Sequence, residues 1–275
     1  MTREYLERVR TTEGNKYHDP STVLKAAQTT LNQSKLGIIE HLAVLEQAYT
    51  ASLDCGRLDE AEELLKKIHS LLPTTNSTRL AKLEGLKLEA YGKYDEAEKV
   101  YNVNLESDPT VLNLRKRLIS VLLSKNKSNN HNLFETINAH LDTFVSDIET
   151  WSLLQATYLR NNMFTHALFC IEEIMLLSKN DPLVLTRYAE INYSIGKISV
   201  AIKYFSRAVE LNESMTRAWW GLYQSCKTFA EEKKKDLDAE LIDMLKNLAK
   251  EKLSFQYKNV VGVEKEIAVG YLTNN

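Results

Sequence analysis

GKYDEAEKVYNVNLESDP, from Gly92 to Pro109, decides how the 275-residue chain reads. Three further stretches align with it when each is hung on an alanine in the middle of a short helix. They are GRLDEAEELLKKIHSLLP (Gly56 to Pro73), NMFTHALFCIEEIMLL (Asn162 to Leu177) and GKISVAIKYFSRAVELN (Gly196 to Asn212). The anchors Ala61, Ala97, Ala167 and Ala201 stand 36, 70 and 34 residues apart. The step of 70 is two repeats with a degenerate copy between them.

That spacing is the tetratricopeptide period of 34 residues, slightly stretched in the first half. Other signature positions fall in register: Gly85, Leu88, Tyr94 and Tyr101 in the second copy, Trp151, Leu154, Tyr158 and Phe164 in the fourth, Tyr188, Ala189, Phe205 and Ala208 in the fifth. Small residues such as Gly85, Ala97 and Ala201 allow two antiparallel helices to approach closely, and large ones such as Tyr94, Tyr101 and Phe205 fill the space between repeats. Gly56, Gly92 and Gly196 stand between helices, where a left-handed backbone ends the first of each pair. Pro73 and Pro109 stop the second helix. The expected fold is all-α, a tetratricopeptide-repeat superhelical solenoid of about six helix pairs with a C-terminal capping helix.

The third copy departs from the pattern. Leu133 replaces the anchor alanine, and the turn SKNKSNNHN (Ser124 to Asn132) reads as a polar loop joining two helices. Trp219 lies 34 residues after Leu185 and opens a sixth unit. Its second helix follows the charged linker EEKKKDLD, with Leu237, Leu241, Leu245 and Leu248 at helical spacing, and reads as a cap that shields the last apolar face. At the other end Asp19-Pro20 is an N-cap followed by Pro at the first helical position. Organisation is therefore expected as an N-terminal helical cap over 1–41, five repeats over 42–215 and a sixth unit with its capping helix over 216–258. The tail, 259–275, shows no helical pattern and reads as disordered or partner-bound.

Composition excludes several classes. Nine Gly and four Pro are too few for the turns of an all-β fold. A formal net charge of −2 removes any global electrostatic case for nucleic acid. Cys55, Cys170 and Cys226 are far apart and form no CxxC pair, which fits a reducing compartment. MTREYLERVR carries no apolar signal core, and no stretch approaches the length of a membrane span, so a soluble chain on the cytosolic side is expected. No catalytic or metal constellation stands above background. None of the histidines has the i, i+4 spacing of a helical zinc pair, and no phosphate loop or nucleophile elbow is present. His166 beside Ala167 and Cys170 on its apolar helix read as structural. No enzyme activity and no cofactor are expected.

Function in a solenoid of this kind is carried by the first helix of each pair. Inner positions predicted from the repeat are Arg79, Lys82, Leu86 and Glu89, then Arg115, Leu118, Leu122 and Lys125. Leu183, Thr186, Glu190 and Tyr193 follow, and then Arg217, Trp220, Gln224 and Lys227. The candidate partner-binding groove is Lys82, Leu86, Glu89, Arg115, Leu118, Leu122, Tyr193, Arg217 and Trp220, with Leu86, Leu118, Leu122 and Trp220 expected to be uncovered. Trp220 reads either as a contact anchor or as a residue packed under the terminal helix. Arg115-Lys116-Arg117 reads either as a grip for an acidic segment or as solvated charge. Lys82 is followed by Leu86 where clamps for acidic chaperone C-termini need Asn, which disfavours that subclass.

Four blocks go beyond the generic repeat: DPTVLNLRKRLI (Asp108 to Ile119), FCIEEIM (Phe169 to Met175), YAEINYSIGK (Tyr188 to Lys197) and RAWWGLYQS (Arg217 to Ser225). Over roughly Leu45 to Phe229 they make the chain resemble the subunit 2 family of the endoplasmic reticulum membrane protein complex. The resemblance implies a non-catalytic scaffold, peripheral on the cytoplasmic face of that membrane, within a hetero-oligomer. It would bridge membrane-embedded subunits, including one related to bacterial insertases, and dock a second soluble one. The assembled complex inserts transmembrane helices of tail-anchored and multispanning proteins. Membrane association is indirect, through partners. The residues alone leave open a tetratricopeptide adaptor in an unrelated cytosolic or nuclear assembly.

Overall fold

The computed structural model describes residues 2–11, 18–33, 36–72, 77–125, 131–232, 238–259 and 262–274. Pro73, the centre of the polar turn at 126–130, and the linker residues 233–237 with Leu237 lie outside them. The described residues form fifteen α-helices and no strand. They are α1 (Thr2–Thr11), α2 (Pro20–Gln33), α3 (Ile38–Asp54), α4 (Leu58–Leu71), α5 (Thr78–Ala90), α6 (Tyr94–Ser107), α7 (Leu112–Lys125) and α8 (His131–Thr143). After them come α9 (Ile148–Arg160), α10 (Phe164–Leu177), α11 (Pro182–Ser194), α12 (Ile198–Leu211), α13 (Thr216–Glu231), α14 (Ala239–Gln256) and α15 (Val263–Asn274), with a 3₁₀ turn at Tyr257–Asn259. The fold is an all-α tetratricopeptide solenoid, and it divides into two compact units, 1–136 and 137–275.

One backbone device turns the first helix into the second at four of the described turns. The amide of Gly56 donates to the Leu53 carbonyl at 2.9 Å and that of Arg57 to the Ser52 carbonyl at 2.9 Å, the paired bonds of a Schellman cap. The same pair recurs at Gly92-Lys93, Asn162-Met163 and Gly196-Lys197. The residue at the bend has φ of +71°, +71°, +57° and +79° in Gly56, Gly92, Asn162 and Gly196. Only a residue tolerant of left-handed backbone serves there, which is why glycine recurs and asparagine is the one substitute among these four turns.

In the first unit the core runs from Leu6 and Leu24 through Leu45, Tyr49, Ala61 and Ile68 to Leu83. Helix α2 starts as its sequence indicates: Pro20 is its first residue, and Asp19 accepts from the Thr22 amide at 3.1 Å and the Thr22 hydroxyl at 2.7 Å. Tyr49 is fully buried, and its hydroxyl donates to the Leu83 carbonyl at 2.7 Å, tying one repeat to the next. The closest approach is at Gly85, where a Cβ would stand 2.2 Å from the ring of Tyr101. Tyr101 is wholly buried, and its hydroxyl donates to Glu89 at 2.5 Å.

In the second unit Trp151 and Trp219 occupy equivalent places. Each indole Nε1 donates at 2.8 Å to a carbonyl six residues upstream, of Val145 and Glu213 respectively. Gly221 lets α13 onto α12, since a Cβ there would meet the Phe205 ring at 2.2 Å. Two expectations fail in this unit. The segment 263–274 is helical, because Ala268 and Leu272 find a buried surface to cover. Helix α14 also turns a different face inward: Ile242, Ala249 and Leu253 are buried, Leu245 is half-buried, and Leu241 and Leu248 are exposed. Ile242, Ala249 and Leu253 follow i, i+7, i+11 spacing, and the small Ala249 allows α13 to approach where a leucine would hold it off.

Cys170 and Cys226 are buried, and burial pushes each thiol up to about 12, whereas Cys55 is partly accessible. Thiolate is the reactive form, so in native buffer near neutral pH a thiol reagent should modify Cys55 alone, and all three cysteines after denaturation. Modification of more than one thiol before unfolding would contradict the packing around α10 and α13.

Candidate partner-binding surface

In the second unit, helices α9, α11 and α13 lie side by side as the first members of their pairs. Two clefts open on them. One, of about 800 Å³, has an apolar floor of Leu153, Ala156, Leu159 and Ile191, with Arg187 at its edge. The other, of about 780 Å³, is walled by Trp220 and Gly221 on one side and by Tyr257, Ile267 and Tyr271 on the other. Glu190 and Arg217 line both. They hold each other in a two-pronged pair: Arg217 Nε donates to Glu190 Oε1 at 2.5 Å and Nη2 to Oε2 at 2.6 Å. Hydrogen bonding to Glu190 raises the pKa of the Arg217 guanidinium. The pair is a fixed divider between the clefts, and neither charge is spare.

Arg187 is different. It is half-buried at the cleft edge and has no ion-pair partner among the described residues. A guanidinium placed so offers a planar fork of donors to a carboxylate.

Trp220 is half-buried and covered. Its indole Nε1 donates to the Tyr257 hydroxyl at 3.2 Å, and its ring meets those of Tyr257 and Tyr271 edge-on at 6.3 and 5.9 Å between centroids. Tyr271 in turn donates to Gln224 at 3.0 Å and carries the Lys227 ammonium over its ring at 5.3 Å. Trp220 is packed, as one of its two readings had it, but its cover is Tyr257 of the 3₁₀ turn and Tyr271 of α15, a segment read as non-helical, and not the capping helix α14. Tyr193 is also half-buried, its hydroxyl 3.0 Å from that of Thr228.

In the first unit Lys82 and Glu89 lie on α5. Lys82 is half-buried, and burial followed by the nearby Arg117 lowers its pKa. Glu89 accepts from Tyr101 and lies 3.6 Å from Arg117. Arg115 donates from Nε to the Pro109 carbonyl at 2.5 Å, so it braces the turn before α7. Lys125 bridges Asp95 and Glu98, both at 2.5 Å. The three leucines expected to be uncovered are buried: Leu86 at 8%, Leu118 at 7% and Leu122 at 5% exposure. Helix α7 packs on both α5 and α6, and Leu114, Leu118, Ile119, Val121 and Leu122 are buried there. Leu86 is drawn into the core of its unit beside Gly85.

Sequence reasoning missed α9 and Arg187. The cleft on α11 is lined by Arg187, Glu190, Ile191 and Ser194, whereas the repeat rule pointed to Thr186 and Tyr193; Thr186 is buried with its hydroxyl on the Pro182 carbonyl at 2.7 Å. Arg187 stands three residues before Glu190, which was in the predicted set, and that helical adjacency was the available signal.

Open clefts and internally paired charges on stacked helix pairs define a tetratricopeptide scaffold. Residues 64–210 match the family described as the EMC2 TPR-like repeat domain. Over 224 residues the chain is 32% identical to ER membrane protein complex subunit 2-B of Xenopus laevis, covering 80% of this chain and 74% of that protein. It is 33% identical over the same length and coverage to ER membrane protein complex subunit 2 of Xenopus tropicalis. The TPR repeat protein oca3 of Schizosaccharomyces pombe is 26% identical over 193 residues, 68% of this chain and 67% of its own. The chain belongs to the ER membrane protein complex subunit 2 family. Solved structures agree on the fold alone. The C-terminal part of a TPR repeat-containing protein from Cytophaga hutchinsonii superposes with a TM-score of 0.62 at 12% identity, covering 97% of this chain and 99% of that one. MamA superposes with 0.53 at 14%, covering 69% and 99%. No helix among the described residues is long and apolar enough to cross a membrane.

Proposed function

We propose that this chain is a non-catalytic scaffold on the cytosolic face of the endoplasmic reticulum membrane, holding membrane-embedded and soluble subunits of a complex that inserts tail-anchored and multispanning proteins. Its part is architectural. The observation that carries the scaffold reading is the pair of clefts meeting at Glu190–Arg217, an apolar-floored track bordered by the spare cation of Arg187. Such a track takes a chain segment with apolar side chains and a carboxylate. The names of the Xenopus relatives support the particular complex.

The test is purification of the tagged full chain from detergent-solubilised membranes. Integral membrane subunits should co-purify with it, and recovery of soluble proteins only would sink the membrane-complex reading. Arg187→Glu should cut that recovery by about tenfold, the effect of losing one desolvated charge contact. Undiminished recovery would show that the track holds no subunit.

A further inference from the structure

Helix α14 is apolar on two faces. Ile242, Ala249 and Leu253 are 2% exposed or less and face the core. On the outside Leu241, Met244, Leu248 and Phe255 are 43, 62, 42 and 73% exposed. Their spacings of three, four and seven residues are those of the a and d positions of a heptad. A stripe confined to a and d is one side chain wide, narrower than the apolar face a globular core or a membrane surface asks of a helix. Its natural complement is a single helix laid along it for about 20 Å.

One position of this seam is polar. Glu251 fills the d place between Leu248 and Phe255; it is exposed and has no ion-pair partner among the described residues. Lys252 beside it is 3.4 Å from Glu213. A carboxylate in a heptad seam sets partner and register by the charge it demands opposite. A second copy of α14 does not meet that demand. Paired parallel and in register, Glu251 faces its own counterpart; paired antiparallel along the whole stripe, it faces Leu241 or Leu248. Either leaves an anion without a counter-charge in an apolar contact.

We propose that the outer face of α14 is a docking strip for one amphipathic helix of another protein, whose apolar heptad seam is broken by a single Arg or Lys that meets Glu251. The strip does not depend on the clefts of α9, α11 and α13 and stands or falls separately.

The test uses the full-length chain and two fluorescein-labelled synthetic helical peptides of about three heptads. They share a leucine seam and differ only at a central d position, Arg in one and Glu in the other. By anisotropy the Arg peptide should bind about tenfold or more tightly than the Glu peptide. Glu251→Lys should reverse that order. Met244→Ser combined with Phe255→Ser should remove binding of both peptides while far-ultraviolet circular dichroism stays unchanged, since both side chains are exposed. Equal affinity for the two peptides, or binding that survives the serine pair, overturns the proposal, as does failure of the Arg peptide to bind. A concentration-dependent dimer in sedimentation, abolished by the serine pair, also overturns it by making a second copy the occupant.

Discussion

Tyr101→Ala should cost about 3–5 kcal/mol, enough to leave the first unit unfolded or nearly so under ordinary conditions. The ring is wholly buried between α5 and α6, with Gly85 the only residue type that fits beneath it. Removing it leaves a cavity that two closely apposed backbones cannot collapse to fill, because Gly85 has no side chain to move inward. The phenol also gives Glu89 its short hydrogen bond, and burial together with that carboxylate holds the Tyr101 pKa far above its usual range. Tyr101→Phe separates the two contributions. It keeps the ring and should cost only about 1–2 kcal/mol. Chemical denaturation followed by circular dichroism reads both; a Tyr101→Ala chain as stable as the parent would mean the α5–α6 contact is not the one described.

Trp220→Ala should undock α15. Few contacts join that helix to the rest of its unit: Ala268 and Leu272 are buried, while Val263 and Ile267 are each 67% exposed. Trp220 supplies the aromatic surface against which Tyr271 packs and the indole donor for Tyr257. A half-buried indole with edge-on partners contributes roughly 2–3 kcal/mol, so its loss should raise the undocked population by about 30- to 150-fold. Hydrogen exchange of the amides of 265–272 should accelerate by that factor, with little loss of total helicity. Unchanged protection of α15 would show that other residues hold it.

The repeat architecture was legible because its marks are backbone demands. A left-handed bend accepts glycine or asparagine, and a close crossing accepts glycine or alanine, so Gly56, Gly92, Ala97 and Ala201 identify themselves. Trp219 was legible as core for the same reason, being one period after Leu185. The candidate surface was less so. A repeat rule states which helix faces inward, yet whether a leucine there is covered depends on how closely the next helix lies. Leu86, Leu118 and Leu122 are covered, and Arg187 is left spare, through packing that no spacing encodes. The terminal helix escaped notice because Gly262 and Gly270 mask a short apolar pattern, which gains meaning only beside Trp220. For α14 the leucines were visible, but a helix with two apolar faces gives no sign of which one its own chain will use.

The indole–carbonyl bonds at Trp151 and Trp219 have a spectroscopic corollary. The chain contains three tryptophans, and all of them (Trp151, Trp219 and Trp220) belong to the second unit. Intrinsic tryptophan emission is therefore an optical tag on one half of the molecule, blind to the other. Far-ultraviolet circular dichroism weighs the helices of both halves together. Superimposable unfolding curves from the two signals would be the mark of a single cooperative block, and displaced curves the mark of two, so the chain carries a built-in gauge of how far its repeats melt as one.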